Sequence, residues 1–155
     1  NNLLTSVWFY EQIRSEKFLI FQTDSCLLKE GVDEFLSFDY VGAPWPHRRN
    51  QVGNGGFSLR SKAFRLRVCN SVKRPVGMNE DVYFSTNGAL QKADIADYDT
   101  ACRFSCENVK TTTLPLGVHQ CVHNIHVPDL DQQFKENFKK QEYLSLGSLC
   151  HASML

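Results

Sequence analysis

Gln22 and Asp24 stand two residues apart, directly after the apolar run Phe18 to Phe21. Side chains alternate faces along a strand, so positions i and i+2 project to the same side. An apolar strand that ends in oxygen-bearing side chains is a common setting for a ligand site in an open α/β sheet. A carboxylate there can hold a divalent cation, and the cation can hold phosphates. The plainer alternative is a strand that ends in Asp-Ser to begin a turn.

Three further groups have chemical potential. Glu80 and Asp81 are adjacent carboxylates. They read either as a general base or as a charge pair favouring a helix N-terminus. The segment Gly53-Asn54-Gly55-Gly56 permits a tight turn or a close backbone approach to a ligand. It is not a P-loop, because no Gly-Lys-Ser/Thr follows. His119 is a candidate ligand or a satisfied core histidine. Together with Cys121, His123 and His126 it also admits a zinc reading, although the spacing fits no standard structural zinc site.

The elements that must position these groups follow from pattern and punctuation. Thr5 or Ser6 caps a first helix reaching about Ile13. Phe18 to Phe21 reads as a buried strand. Gly31 to Phe38 reads as a short amphipathic helix with Val32, Phe35 and Leu36 on one side. Asp39 to Gly42 is a second short strand, and Pro44 and Pro46 force an extended path around Trp45. Phe57 to Leu59 is a strand. Ser61 caps a helix from about Lys62 to Val72, with Phe64, Val68 and Leu66 facing inward. Another helix runs from Asp81 to about Thr86. Asp94 to Glu107 is mixed and helical, Thr111 to Leu116 is extended, and Gly117 to His119 turns. Residues 129–141 form a polar helical tail, and residues 147–155 fray. The chain divides into residues 1–128 and a tail, 129–155.

The 155 residues carry zero formal net charge, and 42% are hydrophobic. That content argues against disorder, and the length suits one domain with a real core. Balanced charge with scattered Lys and Arg gives no nucleic-acid or membrane-surface signature. The cluster His47-Arg48-Arg49 is a solvated loop or a small anion contact. No apolar run spans a bilayer and no signal peptide is visible, which leaves the cytoplasm or the secretory-pathway lumen open. The six cysteines contain no CxxC pair, so buried free thiols are the expectation. Cys102 and Cys106 are spaced one helical turn apart.

The order of these parts is more specific than any one of them. It resembles the donor-and-metal half of a nucleotide-sugar glycosyltransferase of the GT-A type. In such enzymes a strand ends in a D-x-D-like motif, and a glycine-containing segment lines the sugar pocket. An acidic pair opens a helix under the acceptor site, and a late Gly-x-His completes the metal site. Here the counterparts are Gln22-Thr23-Asp24, Gly53 to Arg60, Asn79-Glu80-Asp81-Val82 and Gly117-Val118-His119. The segments Leu4 to Tyr10, Phe18 to Ser25, Tyr40 to Trp45, Val52 to Arg60 and Asn79 to Ser85 are similar to a sequence-defined family of such transferases. The likeness covers about residues 3 to 120.

The resemblance implies an α/β fold, a GT-A-like mixed sheet flanked by helices, with residues 1–128 as the C-terminal catalytic portion. A Rossmann-like nucleotide-binding part would precede it. It implies metal-dependent transfer of a sugar from a nucleoside-diphosphate donor to an acceptor hydroxyl on a glycan or other molecule. Mn²⁺ or Mg²⁺ would be held by Asp24 and His119, with Asp81 or Glu80 as base. Gln22, Asp24, Asn54, Gly55 and Gly56 would bind donor and sugar. Trp45 would stack on a sugar face, or simply pack between its prolines. The sequence departs from D-x-D at Gln22, which can accept a hydrogen bond but brings no charge to a metal. The alternative is a non-catalytic module, derived from a truncated or degenerate transferase, that binds carbohydrate or a partner.

Overall fold

Ser6 accepts a hydrogen bond from the Phe9 amide and so caps the first helix, α1 (Val7–Gln12). This is one element of a computed structural model that describes residues 2–46 and 53–120. The chain continues through β1 (Lys17–Phe21), β2 (Ser25–Leu27), a 3₁₀ turn (Val32–Phe35), β3 (Tyr40–Gly42) and β4 (Phe57–Ser61). Ser61 caps α2 (Lys62–Ser71) through the Phe64 amide. Then come α3 (Glu80–Asn87), α4 (Tyr98–Phe104), β5 (Ser105–Cys106) and β6 (Gly117–His119). The fold is mixed α/β, with helices beside two small sheets.

The first sheet has the order β1-β4-β3, and both pairings are antiparallel. Register places Phe18, Arg60 and Tyr40 side by side, and Leu19, Leu59 and Val41 side by side. Alternation therefore sends the first set to one face and the second to the other. On the first face Tyr40 joins Tyr10, Phe64, Val68, Tyr83 and Phe84 from α1, α2 and α3. On the second, Val41, Phe57 and Leu59 pack with Phe35, Ala96, Ala101, Phe104 and Leu116. The sheet is the wall between two apolar cores. The second sheet has the order β2-β6-β5, antiparallel between β2 and β6 and parallel between β5 and β6.

Four expectations from sequence are corrected. β1 is not a buried strand: it pairs only with β4 among the described residues, and Leu19 and Phe21 stay exposed. The Gly31–Phe38 region makes only one 3₁₀ turn, burying Phe35 while Val32 and Leu36 face outward. Gly117–His119 is a strand rather than a turn, because β2 and β5 flank it on both sides. Cys102 and Cys106 do not share a helix, since α4 ends at Phe104 and Cys106 belongs to β5.

Cys26, Cys69, Cys102 and Cys106 are free thiols, as expected, but only Cys106 is buried and the other three are partly exposed. Among the described residues no helix is long and apolar enough to cross a membrane. The basic cluster His47-Arg48-Arg49, the remaining zinc candidates Cys121, His123 and His126, and the tail 129–155 lie outside the described residues.

Candidate functional site

The tip of β1 is tied down by backbone. Gln22 N donates to Gly56 O at 2.9 Å, and Ser25 N donates back to Gln22 O at 2.9 Å. Ser25 Oγ donates to the same Gly56 carbonyl at 3.2 Å. Residues 22–25 thus form a turn rather than a strand extension. Gln22 and Asp24 still point to one place, but turn geometry brings them there instead of strand alternation.

That place is His119. Register pairs Ser25 with His119, so β6 delivers the imidazole beside the turn. Gln22 Oε1 lies 2.9 Å from His119 Nε2, and Asp24 Oδ1 lies 3.3 Å from the same nitrogen. On the opposite edge of the ring, Glu107 Oε2 lies 3.3 Å from Nδ1. His119 and Glu107 are both buried, whereas Asp24 is partly open to solvent. Burial disfavours the imidazolium, but Glu107 and Asp24 together outweigh it and raise the His119 pKa.

The glycine segment forms the next wall. Tyr40 Oη donates to Gly53 O, and Ala43 O accepts from Gly53 N and Asn54 N. Asn54 turns its side chain inward on the loop, Oδ1 accepting from Gly56 N at 3.0 Å. All three glycines of the segment are required by contact, Gly53 against the Tyr40 ring. A Cβ on Gly56 would fall onto the His119 ring, and one on Gly55 would strike the Glu80 carboxylate.

The acidic pair divides in two. Glu80, at the start of α3, receives Arg60 Nη2 at 2.7 Å on Oε1 and Arg60 Nη1 at 3.1 Å on Oε2. Arg60 also donates to Ser58 Oγ at 2.8 Å and to Gly55 O at 3.0 Å. This guanidinium is fully buried and its ionic partner nearly so. Glu80 is therefore held as a structural counter-ion that braces the glycine segment. Asp81 is half-buried and accepts from Val82 N at 2.7 Å. Burial pushes its pKa up, and the Val82 amide only partly offsets that.

These parts enclose a cavity of about 380 Å³. Gln22, Asn54, Gly55, Gly56, Glu80, Asp81 and His119 line it, so seven of the nine residues singled out from sequence meet at one cavity. Asp24 reaches it through His119. Trp45 is buried and does not line it. The lining also includes Leu4, Asn79, Glu107 and Gln120, which sequence reasoning missed. Asn79 and Gln120 adjoin singled-out residues, which was the only available signal. Glu107 had none, because its role depends on β5 lying parallel to β6.

Whether these residues suit a divalent cation can be tested on geometry. Ligand atoms on neighbouring corners of an octahedron with bonds of about 2.1 Å lie roughly 3.0 Å apart. The distances of 2.9 and 3.3 Å around His119 Nε2 match such edges. An amide oxygen, a carboxylate and an imidazole are a donor set that Mn²⁺ accepts. Among the described residues no group of three or more His, Cys, Asp or Glu side chains has metal-holding geometry.

No curated protein and no solved structure matches the chain. A family model described as "Protein of unknown function (DUF5672)" matches residues 1–119, and the chain belongs to that family.

Proposed function

We propose that this chain carries the metal- and acceptor-side portion of a GT-A-type glycosyltransferase that uses a nucleoside-diphosphate sugar. One observation carries the reading. Gln22, Gly56, Asp81 and His119, scattered over nearly a hundred positions, line one cavity, and the resemblance gives each a part there. Its volume of about 380 Å³ lies within the roughly 300–1,000 Å³ of small-molecule sites.

Gln22, Asp24 and His119 would hold Mn²⁺ or Mg²⁺. That cation would offset the charge that develops on the leaving diphosphate. The chain's own groups do the rest. Asp81 accepts the proton of the acceptor hydroxyl, a task its half-buried position suits. Glu80 is committed to Arg60 and keeps the glycine segment in place. The carboxamides of Asn54, through its Nδ2, and of Asn79 line the cavity toward the sugar, while Gly55 and Gly56 form its backbone wall.

The test supplies the protein with Mn²⁺ and a panel of nucleoside-diphosphate sugars and measures donor hydrolysis. Asp24→Ala is expected to lower the rate by on the order of a hundredfold. Equal rates in wild type and variant would end the metal assignment. Sugar binding without any turnover would favour a non-catalytic carbohydrate module, a reading to which the carboxamide-rich lining lends support.

A further inference from the structure

We infer that Glu107 is a positioning residue for His119: it holds the Nδ1 proton, so that the Nε2 lone pair faces Gln22 and Asp24. This rests on the reading of those three residues as a cation site.

Three observations lead here. First, Glu107 is a carboxylate only 5% exposed, and its buried Oε2 makes no aligned hydrogen bond among the described residues. Burying such a charge costs several kcal/mol unless a partner compensates. The facing group is His119 Nδ1, at 3.3 Å, itself buried and without an aligned hydrogen bond. Each atom lacks a partner of the kind the other supplies.

Second, the ring has little freedom to turn away. His119 belongs to β6, with β2 on one side and β5 close by on the other. The backbone of Gly56 lies so close to the ring that even a methyl group would not fit between them. The two nitrogens are therefore assigned to fixed neighbours, Nδ1 to Glu107 and Nε2 to the Gln22–Asp24 turn.

Third, the tautomer follows from electrostatics. A neutral imidazole protonated on Nε2 would aim its Nδ1 lone pair at a buried carboxylate. A proton on Nδ1 removes that repulsion; the Nε2 lone pair then faces Gln22 Oε1 and Asp24 Oδ1, and a cation held beside them removes the corresponding repulsion there. Histidine ligands in metal sites commonly rely on such a carboxylate behind the ring, which fixes orientation and raises basicity. Glu107 touches neither reacting atoms nor cation in this arrangement, and acts through His119.

Mn²⁺ affinity measured by electron paramagnetic resonance tests this on wild type, Glu107→Gln and Glu107→Leu. Removing a carboxylate of this kind weakens metal binding by roughly 10- to 100-fold. Glu107→Leu should lie at the upper end. Glu107→Gln should lie near the lower end, since its amide oxygen still accepts from Nδ1. It also replaces the leucine variant should that one fail to fold by circular dichroism. In parallel, ¹⁵N spectra of the protein titrated with diamagnetic Mg²⁺, above the His119 titration, read the tautomer directly. Wild type should carry the proton on Nδ1 once Mg²⁺ is bound, and Glu107→Leu should need more Mg²⁺ to reach that state. Unchanged Mn²⁺ affinity in both variants, or a Mg²⁺-bound wild type protonated on Nε2, overturns the inference. A wild type that binds neither Mn²⁺ nor Mg²⁺ instead overturns the cation-site reading. The two failures are thus distinguishable.

Discussion

Glu80 and Asp81 are chemically alike and adjacent, yet the structure gives them separate work. Glu80 faces Arg60 across a bidentate buried pair, while Asp81 has no cationic partner of that kind among the described residues and lines the cavity. Their substitutions should separate accordingly. Glu80→Gln leaves the Arg60 charge buried and uncompensated, which destabilises by roughly 3–5 kcal/mol. Urea denaturation should show this as a lowered midpoint. Asp81→Asn removes only a half-buried carboxylate. Its stability should stay within about 1 kcal/mol of wild type, while the proposed transferase activity falls by at least about a hundredfold. The pH profile supplies an independent check. A base works deprotonated, and burial raises the Asp81 pKa. Activity should therefore decline on acidification at a pH above the ordinary carboxylate range. An acid limb near pH 4 would argue against Asp81 as the base.

Among the elements, the segment from Gly53 to Arg60 does the most positioning. Its Gly56 carbonyl fixes the Gln22–Ser25 turn, its Gly56 backbone supports the His119 ring, and its strand β4 carries Arg60 to Glu80. Gly56→Ala should thus damage the site more than the fold. Overpacking of this kind costs about 1–3 kcal/mol, whereas displacement of His119 should reduce Mn²⁺ binding at least tenfold. A variant with wild-type Mn²⁺ affinity would show that the ring tolerates displacement.

Several of these elements were legible before the fold. Ser6 and Ser61 cap helices as their sequence settings imply, because capping is decided within a few residues. β1 and β6 were harder. Phe18 to Phe21 reads as buried because all four residues are apolar, but only neighbouring strands decide which face is covered. Gly117-Val118-His119 has too few residues for a period, so its strand character comes from β2 and β5 alone.

At the scale of the whole molecule, one three-stranded sheet serves two cores. Phe64 and Phe84 pack on one face, Phe57 and Phe104 on the other, with Phe57 and Phe104 ring centroids 5.2 Å apart. A shared wall couples the two sides. Phe64→Ala and Phe104→Ala should each cost about 3–5 kcal/mol. Both should shift a single unfolding transition when Trp fluorescence and circular dichroism are followed together. Two separate transitions would mean that the cores unfold independently.

The sheet also explains Arg65. It is fully buried, with its guanidinium 3.9 Å from the Tyr40 ring centroid and 4.0 Å from that of Phe84. Among the described residues its nitrogens find no hydrogen-bond partner, and aromatic faces are its compensation. Helical periodicity identified Phe64 and Val68 as core, but a charged residue between them reads as surface. Only the position of Tyr40 on β3 and of Phe84 on α3 makes an interior place for it.

Sequence by itself determined the chemical inventory: a carboxylate and an amide after an apolar run, a glycine segment, an acidic pair and a late histidine. It also determined most helices and strands, since caps, breakers and short-range periodicity act locally. Tertiary structure decided how that inventory is used. It set Glu80 against Arg60, left Asp81 at the cavity, brought Glu107 behind His119 and kept Trp45 out of the lining. The physical reason is common to all four. Each depends on which strands pair and which faces become buried, and those contacts join residues that the sequence separates by tens of positions.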